Sequence, residues 1–145
     1  MSGTRDEVLI EPVTEVQRHE LAELYGAVGW TAYTKTPELL LAAIEGSSFV
    51  VTARCGGRLV GLARALSDDA TICYLQDVLV HPAKQRSGVG RALVGAVLQR
   101  YRAVRQKVLL TDDEAGQRAF YESLGFAEIR DHGEGSLRAF VRFGS

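Results

Sequence analysis

The chain has 145 residues, 46% hydrophobic and 24% charged, the size and composition of one soluble globular domain rather than a disordered tail, a collagen-like repeat or a disulfide-stapled miniprotein. Seventeen Lys and Arg against eighteen Asp and Glu leave a formal charge of −1, so no global positive field draws nucleic acid. No apolar run approaches the ~18–20 residues needed to cross a bilayer, and the first residues lack the basic-then-apolar order of a secretory leader, so a cytoplasmic protein with no membrane partner is expected.

In chain order, Val8-Leu9-Ile10 reads as a first strand ended by Pro12. Residues Thr14 to Gly26 read as a helix with Thr14 at its N-cap, and a loop from Gly26 to Thr36 carries Trp30 and Tyr33. A second helix starts at Thr36-Pro37-Glu38 and stops at Gly46. Three strands follow as an antiparallel meander: 49–55, a Gly56-Gly57 hairpin turn, 59–66, a Ser67-Asp68-Asp69 turn, and 71–80. Period two along the last of these places Tyr74, Gln76 and Val78 on one face and Cys73, Leu75, Asp77 and Leu79 on the other. Cys55 and Cys73 lie in these apolar runs, with no CxxC or Cys/His cluster, and are expected to be buried thiols with no metal between them. Residues 88–102 form an amphipathic helix with its stripe on Val89, Ala92, Leu93, Ala96 and Val97. Val108-Leu109-Leu110 reads as a buried, parallel strand. A helix from Glu114 to Leu124 closes at Gly125, and 127–130 and 137–142 read as a last hairpin around Gly133-Glu134-Gly135. The order is β-α-α-β-β-β-α-β-α-β-β, an α/β fold.

The stretch Leu79-Val80-His81-Pro82-Ala83-Lys84-Gln85-Arg86-Ser87-Gly88-Val89-Gly90-Arg91 carries the most chemistry. A strand ends, Pro82 breaks it, and a Gly-x-Gly turn opens a helix whose first N–H groups are unpaired and carry partial positive charge. Lys84, Arg86 and Arg91 add full charges there, and from Lys84 to Lys107 the chain has seven cations and no acid. That pattern suits an anionic, phosphate-bearing ligand. A plain strand-to-helix turn is the other reading of the glycines, and a solvated face is the reading of Arg100, Arg102 and Arg105. No Gly-Lys-Ser/Thr follows, and no third glycine completes a dinucleotide fingerprint.

Gln85-x-x-Gly88-x-Gly90 resembles the glycine signature of the GNAT superfamily of N-acetyltransferases. Leu79-Val80-x-Pro82 ahead of it, and Phe120-Tyr121-x-x-x-Gly125-Phe126 after it, resemble that family's other landmarks over essentially the whole chain. The resemblance implies a mixed, mostly antiparallel sheet of six to seven strands with helices on both faces, in one domain, and acetyl-CoA as cosubstrate without a metal. It assigns the cofactor to Val78, Leu79, Val80, Gln85, Arg86, Ser87, Gly88, Val89, Gly90, Arg91 and Phe120. The pyrophosphate would take N–H groups from Arg86 to Arg91, and the pantetheine would pair with the backbone from Val78 to Val80. A homodimer is the assembly the family suggests.

In such enzymes the amine attacks the thioester directly, which agrees with the absence of a nucleophile elbow and of a cysteine in a cationic setting. Removing the amine proton, polarising the carbonyl and protonating the thiolate remain to be done. Tyr121 matches the family tyrosine that protonates the thiolate, its phenol near pKa ~10 against about 8.5 for a thiol; packing beside Phe120 is its other role. The carbonyl is expected to be held by a backbone N–H near Leu79 or Val80. Family members often carry Glu or His where this chain has Tyr74 and Gln76, so a water relay at Gln76 is preferred for the base. Asp77 has two readings, an acid near the thioester or a structural partner for an Arg. His81 is read as a surface residue, and Thr111-Asp112-Asp113 as a helix cap or a coenzyme contact.

The glycine-hinged segment from Leu24 to Thr34 falls where such proteins build their acceptor loop. Trp30 and Tyr33, with Tyr74, are expected to wall a small-molecule amine, while Tyr25 is read as core. Six acids and two arginines in the first thirty residues agree with a cationic acceptor. A polypeptide acceptor and a non-catalytic acyl-CoA sensor are the alternatives.

Overall fold

The computed structural model describes residues 7–144, in two compact units, 7–110 and 111–144. The first unit holds a five-stranded sheet in the order β1-β2-β3-β4-β5, built from β1 (Val8–Val13), β2 (Phe49–Cys55), β3 (Arg58–Ser67), β4 (Ile72–Val80) and β5 (Gln106–Leu109). Neighbours pair antiparallel except β4 with β5, which is parallel. Helices α1 (Arg18–Ala27), α2 (Thr31–Thr34), α3 (Pro37–Glu45) and α4 (Val89–Arg100) complete the unit. The second unit has α5 (Gln117–Ser123) and a 3-10 stretch, Ile129–Gly135.

The sheet is covered on both faces. Leu21, Leu24 and Tyr25 of α1 and Leu40 and Ile44 of α3 form one buried cluster with Val50, Leu59, Leu62 and Leu79 of the strands. Helix α4 packs on the opposite face, where β2 and β3 present small residues. A side-chain carbon at Gly61 would lie 3.0 Å from Leu93 Cδ1, 3.2 Å from Val89 Cγ1 and 3.2 Å from the Ala53 Cβ. That close approach seats the first turn of α4 on the sheet, so the glycine sets the helix position through packing.

Several expectations are corrected. The sheet has five strands rather than six to seven, because 127–130 and 137–142 form no ladder. Gly133, Glu134 and Gly135 all take positive φ (53°, 60° and 79°), and the chain coils through 3-10 turns instead of reversing as a hairpin. Arg118, ion-paired with Glu128 and Asp131, holds that coil. β1 runs through Pro12 to Val13, since an edge strand tolerates a residue with no N–H to give. Helix α1 starts at Arg18, with Gln17 rather than Thr14 at its N-cap. Within the loop expected from Gly26 to Thr36, α1 extends to Ala27 and the short α2 follows. β5 is parallel as expected but half-buried at the sheet edge, and the α4 stripe takes Val94 in place of Ala92 and Ala96. Neither cysteine forms a disulfide, and Cys55 is half-buried while Cys73 is buried. No helix among the described residues is long and apolar enough to cross a membrane.

Local punctuation agrees with the expected turns. Gly56 and Gly57 both take positive φ, the requirement of a type I′ hairpin. Pro37 opens α3.

Overpacking at Gly61 tests the seating of α4. Gly61→Val is expected to lower the unfolding free energy by about 1–3 kcal/mol, read as a lower urea midpoint at unchanged m-value.

Candidate active site

β4 carries one residue more than its neighbour requires. Asp77 lies opposite Arg64, but Leu75, two residues earlier, lies opposite Ala65, so the ladder skips Gln76. Arg64 and Ala65 are adjacent on β3 and point to opposite faces, and their partners Asp77 and Leu75 must do the same. The simple period-two assignment is therefore wrong across Gln76: Tyr74 shares a face with Asp77 and Leu79, while Cys73 and Leu75 share the other with Val78. Both faces are covered, which is why burial still alternates along the strand. The Tyr74 phenol has its pKa raised by burial, then by the charges of Asp77 and Tyr33, as that shared face requires.

The ladder with β5 ends at Leu75, one residue before the bulge. From Gln76 to Val80 the β5-facing edge of β4 is open. His81 N–H donates to Val60 C=O at 2.7 Å, so strand alternation turns the Leu79 N–H towards β3 and the Val78 and Val80 N–H groups towards the open edge. Of the two residues expected to polarise a carbonyl, Val80 keeps its N–H available and Leu79 spends it in the sheet. The Val80 carbonyl, on the same open side, accepts from Gln85 Nε2 at 3.1 Å, which ties the end of β4 to the turn that follows.

That turn has the expected architecture. His81 Nδ1 accepts from the Ala83 N–H at 3.1 Å and caps the short 3-10 turn Pro82–Lys84, so His81 has a structural task. Ser87 Oγ donates to the Lys84 carbonyl. Arg86 (φ 65°) and Gly88 (φ 88°) are both left-handed, and Gly88 is the N-cap of the twelve-residue α4. A side-chain carbon at Gly88 would meet nothing within 4 Å, so backbone conformation rather than crowding calls for glycine here. Val89 turns its side chain into the core, and the exposed Arg86 and Arg91 flank the start of the helix, with Gly90 half-buried in its first turn. An open strand edge leading to a cationic helix start fits a ligand that is amide-like at one end and an anionic diphosphate at the other. Arg100, by contrast, pairs with Asp69, and Arg102 bonds the Gln99 carbonyl, as surface cations do.

The aromatic residues of the segment read as an acceptor loop meet beneath β4. Trp30 and Tyr33 are half-buried, with ring centroids 5.8 Å and 5.4 Å from that of the buried Tyr25. The Tyr25 hydroxyl donates to Asp77 Oδ2 at 2.9 Å, and Arg64 Nε donates to the same oxygen at 2.6 Å. Burial, then the Asp77 charge, pushes the Tyr25 phenol far above its ordinary range. Desolvation opposes the Arg64 charge, but the Asp77 hydrogen bond and charge outweigh it and the guanidinium pKa is raised. Of its two readings, Asp77 takes the partner-for-arginine geometry. Sequence reasoning missed Arg64, although a lone cation inside Leu62-Ala63-Arg64-Ala65-Leu66 already signalled a buried partner.

In the second unit, Tyr121 is half-buried, its ring 4.9 Å from Phe120 and 5.9 Å from Phe126. Burial, then Asp112, raises its pKa, so the phenol keeps its proton at neutral pH and is a donor. Asp112 Oδ1 accepts from the Glu114 N–H, so it caps the turn ahead of α5, whose N-cap is Gly116. Gly125 takes the left-handed closing position expected of it.

Comparison with known proteins bears on the family and the fold. The family model for an acetyltransferase (GNAT) domain matches residues 16–143. A mycothiol acetyltransferase of Clavibacter michiganensis is 32% identical over 84% of this chain and 40% of its own length. A histone acetyltransferase of Glycine max is 30% identical over 86% of this chain, which spans 58% of that relative. A solved GNAT-family acetyltransferase of Streptococcus pneumoniae superposes with a TM-score of 0.83 at 28% identity, covering 95% of this chain and 98% of the other.

Removing one partner of the buried pair leaves an uncompensated charge. Asp77→Asn is expected to cost about 3–5 kcal/mol of stability in urea unfolding, and the Tyr25→Phe/Arg64→Met/Asp77→Leu triple variant, which strands no buried polar group of the trio, to recover the larger part of it.

Proposed function

This chain belongs to the GNAT family of acetyltransferases, and from that premise we propose that it transfers the acetyl group of acetyl-CoA to the primary amine of a small molecule. The observation that carries the reading is the open edge of β4, Gln76 to Val80, running directly into the cationic turn that opens α4. Acetyl-CoA brings its acyl group already activated as a thioester, so the chain need supply no nucleophile of its own.

The division of labour follows from the residues. The N–H groups of Arg86 to Arg91, with the Arg86 and Arg91 side chains beside them, hold the diphosphate. The Val78 and Val80 backbone groups pair with the amide-bearing arm, and the Val80 N–H donates to the carbonyl oxygen on which charge develops. Gln76, at the bulge, holds a water through which the amine's proton passes to bulk solvent. Trp30, Tyr33 and Tyr74 form the wall against which the amine's carbon skeleton packs. Asp77 acts through Tyr25 and Arg64 rather than on the amine. Tyr121, matched to the family motif and held protonated by its surroundings, gives its proton to the departing thiolate.

Steady-state thiol release from acetyl-CoA with a panel of phenethylamine, spermidine and glucosamine tests the reading. Turnover with one of them is expected; coenzyme binding without turnover on the panel or on a basic peptide would identify a sensor instead. Tyr121→Phe is expected to lower kcat by roughly 10²–10⁴-fold with CoA affinity kept, as for the loss of a general acid. Gly88→Glu forces a side chain into the left-handed region, a cost of about 1–2 kcal/mol, and adds a charge of the ligand's own sign. CoA affinity measured by calorimetry is expected to fall by more than about tenfold.

A further inference from the structure

Helix α1 ends in a way that binds its own tail. Gly29 (φ 82°) takes the left-handed closing position, its N–H donates to Gly26 C=O at 3.0 Å, and the Trp30 N–H donates to Tyr25 C=O at 3.0 Å. This paired closure folds the residue after the glycine back over the last turn of the helix, so the Trp30 ring lands on the Tyr25 ring. Tyr33, from α2, packs against both rings, its centroid 5.4 Å from that of Tyr25 and 6.2 Å from that of Trp30. Tyr25 is therefore joined to the loop by one main-chain bond and two ring contacts.

Its hydroxyl reaches the other way, to Asp77 Oδ2 on β4, the oxygen that Arg64 also holds. Arg64 Nη1 continues to Ala43 C=O at 3.4 Å and Ser47 Oγ at 3.3 Å, at the end of α3. Tyr25 and Asp77 are buried, at 0% and 3% exposure, so water cannot replace these bonds cheaply. Asp77 is the first residue of β4 beyond the bulge, where the strand edge opens.

We propose that Tyr25 is a positioning residue that fixes the loop bearing Trp30 and Tyr33 to the open half of β4 through Asp77, and so sets where the acceptor amine lies relative to the β4 edge. The kinetic half of this rests on the acetyltransferase reading; the anchoring half does not.

Trp30 is the chain's one tryptophan, so its fluorescence reports on the loop alone. The experiment compares wild type, Tyr25→Phe, Gly29→Ala and Ser47→Ala by acrylamide quenching of Trp30. It also measures the KM for the amine and for acetyl-CoA, using the best acceptor among phenethylamine, spermidine and glucosamine. Tyr25→Phe is expected to quench more strongly and to raise the amine KM by roughly tenfold, the loss of one hydrogen bond to a charged group, with the acetyl-CoA KM unchanged. Gly29→Ala loosens the same anchor from its exposed side, where an added carbon meets nothing within 4 Å but the φ disfavours it, and should move both readouts in the same direction. It keeps the test open where Tyr25→Phe does not fold. Ser47→Ala touches the network only on the α3 side and should move neither. Unchanged quenching in both loop variants overturns the anchor whatever the activity. Equal rises in both KM values, or an amine shift as large in Ser47→Ala, reduce Tyr25 to a fold residue and overturn the positioning role. A wild type that binds CoA but acetylates nothing overturns the transferase reading, and the quenching still decides the anchor.

Discussion

The candidate site depends on one extra residue in β4. Were Gln76 paired in step with Arg64 instead of skipped, Asp77 would lie opposite Ala63, on the face that α4 covers. The bulge turns Asp77 towards α1, where Tyr25 waits, onto the side that Tyr74 already occupies. It also coincides with the end of pairing to β5, so the same residue marks where the strand edge becomes available. A single local irregularity thus both frees the strand edge and turns Asp77 towards α1, the two effects for which bulges recur next to active sites.

The bulge is stabilised by what it brings together. A charge pair that is 7% and 3% exposed carries a large desolvation cost, and apolar residues of like volume would often be no less stable. The pair is therefore better understood as a specifier than as a source of stability. Arg64 and Asp77 can be satisfied together only if β4 skips Gln76, and any register that separates them strands two charges in the core. Tyr25 and Ser47 add the directional bonds that make the arrangement unique, connecting α1 and α3 to the same point on the sheet.

Where the sequence was legible, the signal was local and steric. Gly56-Gly57, Pro37 and Gly125 each announce a backbone conformation that few other residues adopt, and each appears where it was read. The Gly88 turn belongs with them, and its ligand chemistry could be argued before any fold was known. The bulge was not legible, because alternating burial continues through it when helices cover both faces of the sheet. Period two describes which residues are buried there but not on which side. The last hairpin failed for a different reason: Leu137 to Arg142 has strand-like composition, yet composition supplies no ladder partner. Thr14 failed as an N-cap because Glu15, Val16 and Gln17 stay outside the helix that it would have opened. Tyr25 was correctly read as buried, but burial alone did not reveal that its hydroxyl has a partner 52 residues away.

The chain uses one closure twice. Tyr25-x-x-x-Gly29-Trp30 ends α1, and Tyr121-x-x-x-Gly125-Phe126 ends α5. In the second, the Phe126 N–H donates to Tyr121 C=O at 3.1 Å and the Gly125 N–H to Glu122 C=O at 3.1 Å, the same pair of bonds at the end of a later helix. In both, an aromatic residue folds back on a tyrosine ring and holds it, which leaves the hydroxyl as the part of each side chain free to differ in role. Burial then separates the two. Tyr25 is enclosed and its hydroxyl is spent on Asp77, a bond that a core can hold indefinitely. Tyr121 is only half-buried, with a phenol that keeps its proton but is not sealed from a ligand. The same local device thus yields a structural tyrosine where the hydroxyl meets a buried carboxylate and, under the proposed function, a proton donor where it does not.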